Sequence, residues 1–395
     1  MSPIRFIGNV SALDRWNTRQ FALLKNGSVV FFFVNKGKKA GQMERYRIKP
    51  GKGLEFGLYT LGDHIPDPHT GKRIPAQERI RELIELAQLA EQAGLDFFSV
   101  GESHQEYFTT QAHSVVLSAI AQATSKIKIG SSSTIVSTLD PVRVFEDFAT
   151  IDLISNGRAE IIAGRASRIG LFELLGYDIR DYEELYEEKF DLLLQINEKE
   201  TLNWSGKFRA PLRNARVIPR PVDGSLPIWR AVGGGPESAV KAGQAGVPMM
   251  LAMLGGAATT FKYSVDAYRA SAERSGFNKN ELPVATAGFL FPAETTQDAL
   301  REYHPYINEG MKLTNGRGFP WVGFQHGGEL ENVMNVGSPQ QIVEKILYQH
   351  ELFGHQRYIG QMDFGGVPFE KLKRNIELIA TKILPDVKKY TASKE

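Results

Sequence analysis

Along residues 54–384 the apolar positions repeat with two alternating periods. Leu54-Glu55-Phe56-Gly57-Leu58-Tyr59 alternates residue by residue, the period of a strand. Ile80, Leu83, Ile84, Leu86, Ala87, Leu89 and Ala90 then fall at helical spacing, and Gly94 supplies the stop. The change of rhythm recurs. It predicts strands over 95–100, 127–136, 159–164, 228–232, 249–254, 284–291 and 357–363. Helices are predicted over 77–94, 111–124, 141–154, 182–197, 236–246, 259–275, 296–312, 339–353 and 369–384. Eight strand–helix units imply a parallel sheet, and over about 330 residues they fit a closed (β/α)8 TIM barrel with inserted loops. A doubly wound open sheet is the alternative.

Two stretches interrupt the rhythm. Residues 201–223 are polar and proline-rich around Trp204 and read as an inserted hairpin or loop. Residues 314–336 contain GRGFPWVGFQHGG. Loops of this length in a compact domain are often functional, so both are lid or interface candidates. Residues 1–52 show neither period. They are read as a weakly ordered or strand-containing extension, with the barrel domain over 53–390. Met43 stands just ahead of the first convincing strand, so the extension is a candidate non-native segment, with the physiological start at Met43.

Charge and composition narrow the class. The extension carries eleven Lys or Arg against two acids, Asp14 and Glu44, whereas the remainder carries 36 against 43. A basic arm on an acidic body would suit nucleic acid. This arm has no recognisable binding motif and its aromatics cluster as VVFFFV, so no nucleic-acid partner is expected. The chain has no cysteine, which excludes disulfides, thiolate metal sites and cysteine catalysis. No apolar run approaches the roughly 20 residues of a membrane helix. A cytoplasmic protein without a membrane partner is the expectation.

In a barrel the site lies at the C-terminal ends of the strands. The fifth strand ends in Gly233-Gly234-Gly235 and restarts as a helix at Pro236-Glu237-Ser238. Glycines before a helix N-terminus let bare amides approach an anion that the helix dipole favours. A tight turn with nothing bound is the other reading. Arg165 and Ser167 leave the adjacent fourth strand, and a cation, a hydroxyl and a fan of amides together strengthen the phosphate reading. Glu102 and His104 follow the second strand and are candidates for proton transfer, or structural groups. A metal reading would need His64, His69 or His113 as a third ligand, and no metal is expected. Ser131-Ser132-Ser133-Thr134 offers room for a flat ligand close to the backbone, or a solvated strand end.

GLDFFSVGESH (94–104), IKIGSSSTIVSTLDPVRVFEDFATIDLISNGRAEIIAGRAS (127–167), LPIWRAVGGGPESAVKAGQAGVPM (226–249) and QMDFGGVPFEKLKRNIELIATKILP (361–385) together resemble the bacterial-luciferase-like flavin-dependent monooxygenases. The likeness runs from Leu54 to Lys388. It implies a barrel that binds FMN with the ring over the strand ends near Ser132 and Ser133, where the family often has a non-proline cis peptide. The phosphate would be held by Arg165, Ser167 and the Gly233–Gly235 turn, through the amides of Gly234 and Gly235. The family pattern after the second strand is Glu-His-His; this chain has Glu102-Ser103-His104, with serine at the first histidine, so His104 and Glu102 are the catalytic candidates. The resemblance further implies O2 and a small organic substrate, with Phe319, Trp321 and Phe324 as a candidate apolar cover. Reduced FMN would come from a separate flavin reductase, consistent with a sequence that lacks a GxGxxG nicotinamide fingerprint after a strand. A homodimer or higher homo-oligomer is the expected assembly. Two alternatives stay open: a deazaflavin-dependent hydride-transfer enzyme on the same fold, and a non-catalytic flavin-binding protein, which Ser103 keeps in view.

Overall fold

The computed structural model describes residues 18–25, 28–35, 42–166, 170–233 and 235–393. The chain divides into two units, Met1–Gln42 and Met43–Glu395. In the first, Thr18–Lys25 and Ser28–Asn35 pair as an antiparallel hairpin.

The second unit is a closed barrel of parallel strands. Its strands are β1 (Glu55–Thr60), β2 (Phe97–Val100), β3 (Lys128–Ser131), β4 (Ala159–Gly164), β5 (Ile228–Gly233), β6 (Met249–Ala252), β7 (Val284–Pro292) and β8 (Arg357–Gln361). Neighbours in sequence are neighbours in the sheet, β8 pairs with β1, and the remaining pairs run round to β4 against β5. The main helices are α1 (Ala76–Gln92), α2 (His113–Ala123), α3 (Pro141–Ile154), α4 (Tyr182–Glu198), α5 (Pro236–Ala245), α6 (Ala258–Arg274), α7 (Thr296–Asn315), α8 (Pro339–Phe353) and α9 (Phe369–Leu378). Every residue of β4 and β7 is buried, as expected for strands covered on both faces. This is the (β/α)8 barrel that the alternating periods implied.

Local chemistry sets the helix ends. Asp140 accepts from the Val142 amide at 2.8 Å with Pro141 in the first turn of α3, and Ser338 caps α8 ahead of Pro339 in the same way. Gly246 ends α5 with φ of 64°, and a Cβ there would run into the Phe277 ring. Only glycine meets both conditions.

The strand predicted over 127–136 is interrupted at Ser132-Ser133, after which Thr134–Ile135 rejoins β4. The Ser132–Ser133 peptide is cis, as the resemblance implied. Residues 201–223 contain the two-stranded hairpin Leu202–Trp204 with Leu212–Ala215. Residues 314–336 are better ordered than a loop: Trp321–Phe324 and Gln325–Gly328 are helical turns, and Asn335–Gly337 pairs with β7.

At the N-terminal end of the barrel, Arg357 is fully buried and donates to Glu55 at 2.9 Å and to both oxygens of Glu160 at 2.8 and 3.0 Å. Trp229 Nε1 donates to Glu160 at 2.9 Å, and Lys128 pairs with Glu55. Burial pushes the Glu160 carboxyl up, but Arg357 outweighs this and holds it below the ordinary range. The barrel unit begins ten residues before the boundary expected at 52/53. Tyr46 and Ile48 are buried, Arg47 donates to Ala159 O at 2.6 Å and Asp152 at 3.0 Å, and Lys128 donates to Arg47 O at 2.9 Å. Composition assigned 43–52 to the basic extension because its lysines and arginines match that arm. The partners of Arg45 and Arg47 are supplied only by the closed barrel.

Candidate active site

A cavity of about 370 Å³ opens at the C-terminal ends of the strands, within the usual range for small-molecule sites. Its two ends differ. Arg165, Gly233 and Ser238 line the end formed by β4, β5 and the start of α5. Tyr59, Phe289, Gln361 and Phe364 line the end formed by β7, β8 and β1, with Met311 and Asn315 contributed by α7. Ser132 and Ser133 lie on the wall between them, with Ala231, Met250 and Ala252.

Close backbone approach builds that wall. A Cβ on Gly164 would run into Ser133 Oγ, and one on Gly101 would meet Ser132 O and Leu61. By contrast, nothing lies within 4 Å of a Cβ built on Gly233 or Gly235. Those two glycines border open space, and Gly233 lines the cavity. Gly234 and Ser167 lie outside the described residues.

Arg165 Nη1 donates to Glu183 at 2.6 Å and Nη2 to Glu187 at 3.4 Å, and its guanidinium stands 4.8 Å from the Tyr186 ring. Its Nε is buried without a hydrogen-bond partner among the described residues. Burial pulls the Glu187 carboxyl up, but hydrogen bonds from Arg230 and Lys241 hold it below the ordinary range. The second cavity-lining group without a partner is the amide nitrogen of Gln361, a side chain 2% exposed. An unpaired buried donor costs stability unless a ligand supplies the acceptor.

Glu102 is buried; Oε1 lies 2.7 Å from His104 Nε2, and Oε2 accepts from the Ile135 amide at 2.8 Å. Glu102 lines the large cavity and also a neighbouring one of about 60 Å³. His104 and Ser103 line only the smaller cavity. His113 sits 3.8 Å from Glu102 Oε2 and hydrogen-bonds Thr134 at 2.8 Å, and burial pushes its imidazole below the ordinary value. His64 and His69 take other partners, the Ile74 carbonyl and the Tyr306 ring. No group of three or more potential metal-binding side chains converges among the described residues.

The expected apolar cover is corrected. Phe324 is fully buried against Tyr303, His304 and Phe319, and neither it nor Phe319 nor Trp321 lines the cavity. The aromatic run reads as a lid from composition alone, but Phe324 finds a packed face more favourable, while Trp321 stays 40% exposed away from the cavity. Met311 and Asn315, at the end of α7, stand at the cavity instead.

Sequence reasoning missed Arg230; it reached Tyr59, Ser238 and Gln361 only as members of the strand ends 59–64, 233–238 and 361–364, without a role for any of them. Arg230 carried a signal, a charge inside the buried run Ile228-Trp229-Arg230-Ala231-Val232. Ser238 carried another, a hydroxyl in the first turn of a helix that follows glycines. Gln361 and Tyr59 carried only their position at a strand end, where a polar residue is ordinary.

Comparison with known proteins assigns the family. The luciferase-like monooxygenase family model matches residues 54–356. An N-acetyl-S-alkylcysteine monooxygenase of Bacillus subtilis is 27% identical over 62% of this chain and 72% of its own. An F420-dependent glucose-6-phosphate dehydrogenase of Amycolatopsis mediterranei is 28% identical over 42% of this chain and 51% of its own. Among solved structures, monooxygenase RslO1 from Streptomyces bottropensis superposes with a TM-score of 0.74 at 22% identity, covering 84% of this chain and 99% of that one. The oxygenating constituent of 3,6-diketocamphane monooxygenase from Pseudomonas putida, in complex with FMN, does so with 0.69 at 17% identity, covering 84% and 98%. The chain belongs to the luciferase-like monooxygenase family.

Proposed function

We propose that this member of the luciferase-like monooxygenase family is an FMN-dependent oxygenase, which uses reduced FMN from a separate flavin reductase and O2 to oxygenate a small organic substrate. The observation that carries the reading is the polarity of the cavity: a cationic, glycine-lined end at β4, β5 and α5, and a largely apolar end at β7 and β8. A flat molecule with one phosphate matches that division. The diketocamphane enzyme, described as an oxygenating constituent with FMN, supports the same cofactor and division of labour.

The residues present fit such a group. Arg165, Ser238 and the amides around Gly233 and Gly235 would hold the phosphate, with the N-terminus of α5 favouring its charge. The ring would lie against Ser132 and Ser133, where Gly101 and Gly164 bring the backbones together. Bound reduced flavin supplies the electrons that activate O2, one oxygen atom going to substrate and one to water. Phe289, Phe364 and Met311 exclude water from the substrate end, and Gln361 offers it an amide donor. Glu102 is the titratable carboxylate at the cavity wall, and His104 reaches it through their shared hydrogen bond. These two are the proton-handling pair in this reading.

The F420-dependent relative favours a second reading, hydride transfer to or from a deazaflavin. One experiment separates the two: protein is mixed with photoreduced FMN and then with oxygen, while absorbance is followed. Reoxidation slowed by the protein and coupled to oxygen incorporation supports the oxygenase. Reoxidation as fast as without protein, together with binding of F420 in preference to FMN, would overturn it. Arg165→Ala should weaken FMN binding by about 1.5–3 kcal/mol, the range for a charged hydrogen bond. Unchanged affinity removes Arg165 from the phosphate role.

A further inference from the structure

Arg230 lies in the middle of β5, is 1% exposed, and is committed on three sides. Its Nη1 and Nη2 donate to the two oxygens of Glu187 at 3.0 and 2.6 Å, and its Nε donates to Ser238 Oγ at 3.2 Å. The rings of Tyr186 and Phe190 stand 4.8 and 5.4 Å from the guanidinium and keep water from it. Arg230 is absent from the cavity lining, whereas Ser238 and Arg165 are both part of it.

We infer that Arg230 is a positioning residue for the anion end of the cavity, setting the Ser238 hydroxyl and the Arg165 guanidinium for a ligand phosphate. The inference rests on the phosphate reading above and goes beyond it in naming the buried cation that arranges the site. A guanidinium has N–H donors and no acceptor, so in the 3.2 Å contact Ser238 Oγ accepts and keeps its own proton to donate. That proton is then available to the cavity that Ser238 lines.

The second half of the argument is competition for Glu187. Arg230 occupies both of its oxygens, Lys241 approaches at 2.9 Å, and Arg165 is the loosest of the three at 3.4 Å. Arg165's closer partner, Glu183 at 2.6 Å, is 56% exposed and therefore screened by solvent. A phosphate can thus recruit Arg165 without breaking a buried pair. Without Arg230, the Glu187 charge falls to Arg165 and Lys241, and the Ser238 proton is free to turn to the carboxylate. Both changes take donors from the ligand. A lysine at 230 would restore the charge but not the fork that meets Glu187 and Ser238 together.

The test compares equilibrium binding of FMN and of riboflavin, which lacks the phosphate, by flavin fluorescence in the full chain. Wild type is expected to prefer FMN. Ser238→Ala should weaken FMN binding by about tenfold, the size of one charge-assisted contact, and Arg230→Met by more, since it disturbs Arg165 as well; both should leave riboflavin unchanged. The double variant should lose little more than Arg230→Met alone, since the Ser238 contact is already lost there. Arg230→Lys, whose folding is checked by thermal melting, should show most of the same loss. An FMN-to-riboflavin ratio that stays at the wild-type value in both Arg230 variants overturns the inference. So does an equal loss for both flavins, which marks a structural role, or losses that add in the double variant. A wild type that binds the two flavins equally overturns the phosphate reading itself, and is thereby distinguished from failure of the Arg230 role.

Discussion

Glu102 and His104 share a hydrogen bond of 2.7 Å, but only Glu102 lines the large cavity; His104 lies behind it, on the smaller one. A proton leaving the large cavity therefore meets the carboxylate before the imidazole. Glu102→Gln is expected to slow single-turnover oxygenation by about 100-fold, the lower range for loss of a proton-transfer group, with flavin affinity unchanged. His104→Ala should cost less and shift the pH profile of the same step. If His104→Ala is the more damaging of the two with no change in pH dependence, the order of the pair is wrong.

Two glycines should respond in opposite ways to one added methyl. Gly164→Ala has no room against Ser133 and is expected to destabilise the free protein by about 1–3 kcal/mol, the cost of overpacking. Gly235→Ala meets nothing within 4 Å at φ of −74°, so the melting temperature should hold while FMN affinity falls. Equal melting temperatures for both variants would show that the Gly164 approach is not tight.

Arg357→Met leaves Glu55 and Glu160 without their shared cation at the closed end of the barrel. Breaking one side of a buried ion pair costs about 3–5 kcal/mol, and urea unfolding should register a loss of that order. Flavin affinity, measured in the folded fraction, should not change, because the strand ends proposed to bind it are at the other end.

His355 is fully buried with both ring nitrogens unpartnered among the described residues, and burial holds its imidazole well below its ordinary value. The unfolded chain therefore binds this proton first as pH falls. The associated stability is fully present above the unfolded value, about 6.5, and is lost as pH drops below it. Denaturant midpoints should fall between pH 7 and pH 5 in wild type, and fall less in His355→Leu. An unchanged slope in the variant assigns the acid sensitivity elsewhere, with buried His113 the next group to replace.

Much of this was legible without coordinates. Alternation of strand and helix periods from Leu54 to Leu384 determined eight units and a parallel sheet, for which a closed barrel was the first reading; the pairing of β8 with β1 closes it. The barrel rule then placed Glu102, Ser132, Ser133, Arg165 and Gly233 at one end before any distance was known. Periodicity reports which faces are buried, and glycine and proline report where the backbone must turn; both are local properties. What tertiary structure alone decided is pairwise. Arg47 belongs to the barrel because its partners, Asp152 and Ala159, come from more than 100 residues away. Phe324 is core and Met311 is cavity wall because packing, not hydrophobicity, separates the two. Arg230 reads as an oddity in an apolar strand until Glu187 and Ser238, from two different helices, close around it. A sequence states which residues want burial or a charge partner; only the closed chain states which partner each one meets.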